Sequence, residues 1–91
     1  MIVRSVSYSG KFKKDLKKVK KRGKDIRKLT EVMQLLINKK QLPAVLKDHA
    51  LQGNWKPRRD LHIEPNWLLI YIVSDKYVHF DRTGTHSDLF D

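Results

Sequence analysis

The stretch RRDLHIEPNWLLIYIVSDKYVHFDRT, Arg58–Thr83, decides the fold. Its centre, Trp67–Val73, is an almost unbroken apolar run, the pattern of a central strand buried on both faces. Before it, Glu64-Pro65-Asn66 reads as a tight turn, and the segment from about Arg58 to Glu64 alternates as a strand. That alternation sends Arg59, Leu61 and Ile63 to one face and Asp60, His62 and Glu64 to the other. After it, Ser74-Asp75-Lys76 makes a second turn. Tyr77 to Thr83 then forms another strand, with Val78 and Phe80 expected on the side of Arg82, until Gly84 breaks it. Three strands joined by two short turns make an antiparallel meander.

Toward the N-terminus the period changes. Ile2, Arg4, Val6 and Tyr8 alternate with Val3, Ser5 and Ser7, which predicts a first strand ended by Ser9, an N-cap residue. From Gly10 to Arg22, Phe12, Leu16 and Val19 form one narrow apolar stripe on a helix otherwise covered in lysine, and Gly23 is placed to cap its end. Asp25 can cap a second helix, in which Ile26, Leu29, Val32, Met33, Leu36 and Ile37 keep helical spacing until Asn38. Pro43 forbids a continuous helix through Lys39 to Lys47, so this segment reads as a turn-rich connector with one helical turn around Ala44 to Leu46. The order β-α-α-β-β-β defines an α+β protein with an antiparallel-rich sheet and both helices on one face. The opposite face is expected to stay open and to carry Asp60 and His62, with His49 and the C-terminal tail at its rim.

Ninety-one residues suit a single domain, 1–91, with one modest core. Without cysteine there are neither disulfides nor thiolate metal sites, and a reducing compartment fits. MIVRSVSYSG lacks the apolar run of a secretion signal and no stretch approaches a membrane span, so a soluble, cytoplasmic chain with no membrane partner is expected. The formal net charge is +10, and it is concentrated. Between Lys11 and Lys28 stand eleven basic residues against Asp15 and Asp25. Such a run is either a solvated helical face or a surface for a polyanion, and its density favours nucleic acid or an acidic protein.

The residues able to do chemistry fall in two segments, Asp48–Trp67 and Arg82–Phe90. His62 lies on a strand beside acids, His49 follows Asp48 in a polar loop, and His86 sits in a Gly-Thr-His turn just after Arg82; His79 lacks comparable company. The histidine spacing contains no His-x3-His pair, so the metal signal is weak, and no G-x-S-x-G nucleophile turn exists. Metal-free RNA cleavage suits the inventory. It needs a base for the 2′-hydroxyl, an acid for the leaving 5′-oxygen and a cation for the developing charge. Imidazole titrates near ~6.5 and can serve as either acid or base. Arginine can hold the phosphate bidentately, which fits Arg82. Trp55, Trp67 and Phe90 are aromatics that could stack on a base, although Trp67 reads more readily as core.

The segments KDHALQGNWKPRRDLHIEPNWLLIY and RTGTHSDLF, with the early YSGKFKKDLK and the helix ending LLIN, resemble the YafQ-type toxins of the RelE superfamily. The resemblance covers essentially the whole chain in order, and the paired D-H-x-L-x-G-x-W and R-x-G-[ST]-H-x-x-L-F patterns are far more selective than any single histidine. It implies a RelE-like β-α-α-β-β-β fold and a ribosome-dependent endoribonuclease that cuts mRNA in the A site without a cofactor or metal. It also implies a cognate acidic antitoxin of the DinJ/RelB kind, with operator DNA contacted only through the antitoxin complex. By the same resemblance His49, His62 and His86 match functional histidines, with His86 as general acid. Arg82 matches a phosphate-binding arginine, Phe90 a supporting or RNA-stacking aromatic, and Asp60 an acid on the same strand. Lys13, Lys14, Lys17, Lys18, Lys21 and Arg22 are the basic residues expected to meet ribosomal RNA or the antitoxin. One position departs. Relatives usually read H-x-x-P-D after the second strand, whereas here the acid is replaced by Asn66, an amide that cannot act as a general base. That substitution keeps a second reading in view: a basic RNA- or ribosome-binding module that blocks translation without cutting. A DNA-binding regulator is weaker, since neither helix carries a recognition pattern.

Overall fold

The structure, a computed structural model, describes residues 3–90. Strands β1 (Ser5–Tyr8), β2 (His49–Ala50), β3 (Arg59–Glu64), β4 (Trp67–Val73) and β5 (Tyr77–Gly84) form one sheet in the order β1-β5-β4-β3-β2. The meander β3-β4-β5 is antiparallel as its turns require, and β1 joins β5 in parallel. Ile2, placed by the alternation in the first strand, lies outside the described residues. Helices α1 (Gly10–Lys21) and α2 (Ile26–Ile37) occupy one face. Ser9 caps α1 by accepting from the Phe12 amide, and Asp25 caps α2 by accepting from Arg27. Gly23, at φ +81°, lies just past the end of α1 in the left-handed conformation that glycine tolerates best.

Phe12 and Val19 of α1 and Leu29, Val32 and Leu36 of α2 pack on Leu61, Trp67, Leu69, Tyr71, Val78 and Phe80 of the sheet. All of these are buried. Each large apolar side chain removed from water here is worth about 1.5–3 kcal/mol before entropy is counted. Trp67 is core, as its place in the apolar run implies, and its indole N–H donates to Thr83 Oγ1 at 3.0 Å.

Four features depart from the sequence-based expectation. The connector contains the predicted turn, Ala44–Leu46, but His49–Ala50 also pairs with Asp60 and Arg59 as β2. Two residues are too few to show a period. The segment expected to be a Gly-Thr-His turn instead begins a short helix, α3 (His86–Phe90).

The remaining two concern the sheet faces. The face opposite α1 and α2 is only partly open: Leu89 of α3, with Leu51 and Trp55, covers Leu68 and Ile70, which are wholly buried. An apolar run filled on both sides needs such a cover. Two β-bulges then reset the alternation. Between His62 and Glu64 the register with β4 shifts, and Glu64 leaves the face of His62 to bind Lys24 at 2.8 Å and Lys28 at 2.9 Å on the helical side. Between Ile70 and Tyr71 the partner on β5 jumps from Arg82 to Phe80. Phe80 therefore lies with the helices while Arg82 pairs with Ile70 on the other face, contrary to simple alternation.

Candidate functional site

Register brings the two distant segments together. His49, Asp60, Ile70 and Arg82 form one row across four neighbouring strands, and side chains in such a row share a face. His62, two residues beyond Asp60, shares that face, and His86 is delivered to it by α3. The three imidazoles make a line, with ring centres 6.5 Å apart for His49–His62 and 5.7 Å for His62–His86. Phe90 follows at 6.3 Å from His86 and meets Trp55 edge-on at 4.9 Å. His79, outside this row, bonds Ser7 at 2.7 Å.

Beneath the line lies Asp60, 4% exposed. Burial pushes its carboxyl above the ordinary carboxylate range, and the nearby His49, His62 and His86 oppose that shift. Its Oδ1 is 3.0 Å from His49 Nε2, but the contact falls outside hydrogen-bond alignment, so that oxygen has no hydrogen-bond partner among the described residues. A buried carboxylate in this state holds a proton or a cation close by.

The ring nitrogens are not equivalent. His62 Nδ1 faces the Pro65 carbonyl at 3.3 Å, and His86 Nδ1 faces Asn66 Oδ1 at 3.0 Å. A carbonyl oxygen only accepts, so each Nδ1 carries the proton and each Nε2 is left for chemistry. His49 Nδ1 faces the Lys47 carbonyl at 2.9 Å, and its Nε2 is the nitrogen turned toward Asp60. Asn66 Oδ1 also accepts from the His86 amide at 3.2 Å, fixing the start of α3. Asn66→Asp would put a carboxylate against the same ring and favour the imidazolium. The expected result is an activity maximum displaced to higher pH, checked by cleavage rates across pH 5–9.

Arg82 stands two strands from Asp60, on the far side of the ridge formed by Ile70 and its cover. Asp15 of α1 grips it at 2.7 Å (Nε to Oδ2) and 3.2 Å (Nη2 to Oδ1), and the same carboxylate accepts from the Thr83 amide at 3.2 Å. The hydrogen bond that Arg82 donates to Asp15 raises the affinity of the guanidinium for its proton. Arg82, Arg58, Lys11 and Trp55 line a cleft of about 420 Å³.

Asp88 is a second carboxylate absent from the sequence-based set. It takes Arg22 at 2.6 and 3.1 Å and Lys18 at 3.3 Å, and it accepts from the Thr85 amide at 3.0 Å. The Arg22 hydrogen bond, foremost, holds its carboxyl well below the usual range. Lys18 and Arg22 thus tether α3 to α1. Lys13, Lys14, Lys17 and Lys21 are exposed and have no ion-pair partner among the described residues. Among the described residues, no cluster of three His, Cys, Asp or Glu is placed to hold a metal, and no helix is long and apolar enough to cross a membrane.

The fold that carries this site is shared with solved structures. The crystal structure of YafQ from Escherichia coli strain BL21(DE3) matches with a TM-score of 0.93 and 54% identity, covering 97% of this chain and 99% of that one. The toxin in the crystal structure of the E. coli DinJ-YafQ complex matches with a TM-score of 0.90 and 55% identity, over 97% and 99% of the two chains. The protein is, by class, a toxin of a type II toxin-antitoxin system. Residues 4–91 match the model of the family described as bacterial toxin of type II toxin-antitoxin system, YafQ. The chain is also 56% identical over 91 residues, 99% of each sequence, to the mRNA interferase toxin YafQ of E. coli strain K12. It belongs to the YafQ family.

Proposed function

We propose that this toxin, an endoribonuclease by family, cuts mRNA in the ribosomal A site by 2′-hydroxyl attack on the adjacent phosphate, with imidazoles making both proton transfers. The observation that supports this most is the His62–His86 pair. Two rings 5.7 Å apart, each with Nδ1 on an acceptor, leave two Nε2 atoms to flank one phosphate. His62, neutral, takes the 2′-hydroxyl proton on Nε2, and His86, acting as the imidazolium with a second proton on Nε2, protonates the departing 5′-oxygen; such transfers contribute roughly 10² to 10⁴-fold each. His49, with Nε2 3.0 Å from Asp60 Oδ1, screens the buried carboxylate, whose bare charge would repel the phosphate. Across the ridge, Arg82 retains donors for a neighbouring phosphate, and Phe90 supports His86 or stacks on a base.

The exposed Lys13, Lys14, Lys17 and Lys21 grip ribosomal RNA during cleavage. A cognate acidic antitoxin competes for the same surface and silences the toxin, as the DinJ-YafQ complex of the relative suggests. The alternative, a ribosome-bound module that blocks without cutting, is favoured by one observation only, the amide at Asn66. Mapping mRNA ends on arrested ribosomes tests the reading. New ends within the A-site codon are expected, whereas stalled ribosomes carrying intact mRNA would overturn it in favour of blocking.

A further inference from the structure

We infer that Asp48, clamped by Tyr71 and Arg59 on the helical side of the sheet, is a positioning residue that holds His49 against Asp60. The inference rests on the role given to His49 above.

Strand β2 is two residues long and pairs only with Asp60 and Arg59, so the ladder alone fixes His49 weakly. His49 is itself exposed. Something else must hold it. Alternation places Asp48 and Ala50 on the face opposite His49. There the Tyr71 hydroxyl, on a side chain 1% exposed, donates to Asp48 Oδ1, and Arg59 donates to Oδ2 from Nη2 at 2.8 Å and Nε at 3.2 Å. Tyr71 and Arg59 are themselves partners in the β3–β4 ladder, so the clamp is built on the central strands.

The backbone before it points the same way. Lys47 adopts φ +53°, a left-handed conformation uncommon for a side chain with a Cβ. That twist ends the Ala44–Leu46 turn, sends Asp48 to the clamp, and turns the Lys47 carbonyl toward His49 Nδ1. The ring is therefore held from one side by the strained residue's carbonyl and from the other by Asp60, and Asp48 anchors the peptide between them. Burial, followed by the hydrogen bond to Asp48, keeps the Tyr71 hydroxyl protonated far above its ordinary range, so it remains a donor. A catalytic group displaced by about 1 Å can lose up to ~10²-fold in rate.

The test uses Tyr71→Phe and Asp48→Asn in the full-length toxin, with His49→Ala as the reference. Steady-state cleavage of ribosome-bound mRNA should show kcat lowered about tenfold in both variants with KM unchanged, since the RNA-binding surface is untouched. The His49 ring resonances, followed by NMR without any substrate, should shift and broaden in both, while those of His79 stay in place. Asp48→Asn covers the case in which Tyr71→Phe fails to fold. If His49→Ala cleaves at the wild-type rate, the role of His49 is wrong, and unchanged ring resonances in the clamp variants would reject the clamp as well. If His49→Ala is impaired while both clamp variants keep kcat within twofold and leave the ring signals unmoved, the clamp alone is overturned.

Discussion

His86→Ala is expected to lower the rate of mRNA cleavage by at least about 10²-fold, the lower end of what a positioned proton donor supplies. Growth arrest on induction should disappear with it. The fold should persist, because the His86 ring is exposed and, among the described residues, its one side-chain bond is to Asn66, itself exposed. Surface changes of this kind usually cost no more than about 0.5 kcal/mol. Circular dichroism and a thermal melt close to wild type, beside lost cleavage, is the predicted pair of results. A folded His86→Ala protein that still cleaves would remove the imidazole from the acid role and shift the protonation of the leaving oxygen to His62 or to the His49–Asp60 pair. His86→Gln refines the measurement, since an amide can fill the space and bond Asn66 while being unable to deliver a proton at neutral pH.

Asp15→Ala should have the largest effect on stability of any single surface-helix change. The carboxylate is 9% exposed and serves three donors at once: two from Arg82 and the amide of Thr83. Strand β1 pairs with β5 only as far as Phe80, so beyond it the edge of β5 has no strand partner, and Asp15 stands in for one. Removing it strands a guanidinium whose side chain is 21% exposed, together with a buried amide. Breaking a buried pair from one side costs about 3 kcal/mol or more. For a chain of this size that corresponds to a fall in Tm of roughly 10–20 °C. A loss below about 3 °C would mean that solvent satisfies both groups and that the pair does not organise β5. Asp15→Asn, which retains an acceptor but no charge, should fall between the two and give the share due to the charge. Each variant should also weaken RNA binding, because Arg82 loses its fixed direction toward the cleft.

Asp15 also shows how much of the site was legible. The acid could have been noticed: at three residues from Phe12 and four from Val19 it falls on the apolar stripe of α1, not among the lysines. In a lysine-rich run it reads instead as an ordinary charge partner. Alternation puts Glu64 with His62 and Phe80 with Arg82, and the structure separates both pairs because a bulge lies between their members, a feature that leaves little trace in a sequence read by alternation. Trp67–Val73, by contrast, was legible as the centre of the sheet because complete burial demands an apolar residue at every position. The helix caps at Ser9 and Asp25 were legible because capping is local and depends on the identity of one residue.

What the chain by itself determined is the set of elements and the chemistry it can carry. Period, caps and turns specify two basic helices and a three-stranded meander; three histidines and an arginine supply groups able to move protons and to hold an anion; and the motifs around them specify the family. These follow from interactions between residues a few positions apart. Only the tertiary structure decided which side chains meet. The row His49–Asp60–Ile70–Arg82 needs three strand registers at once, the tether of α3 joins residues 66 apart at Arg22–Asp88, and the clamp on Asp48 reaches Tyr71 through the sheet. Such contacts depend on bulges and on long-range packing, whose effect on facing is large while their cost in composition is small.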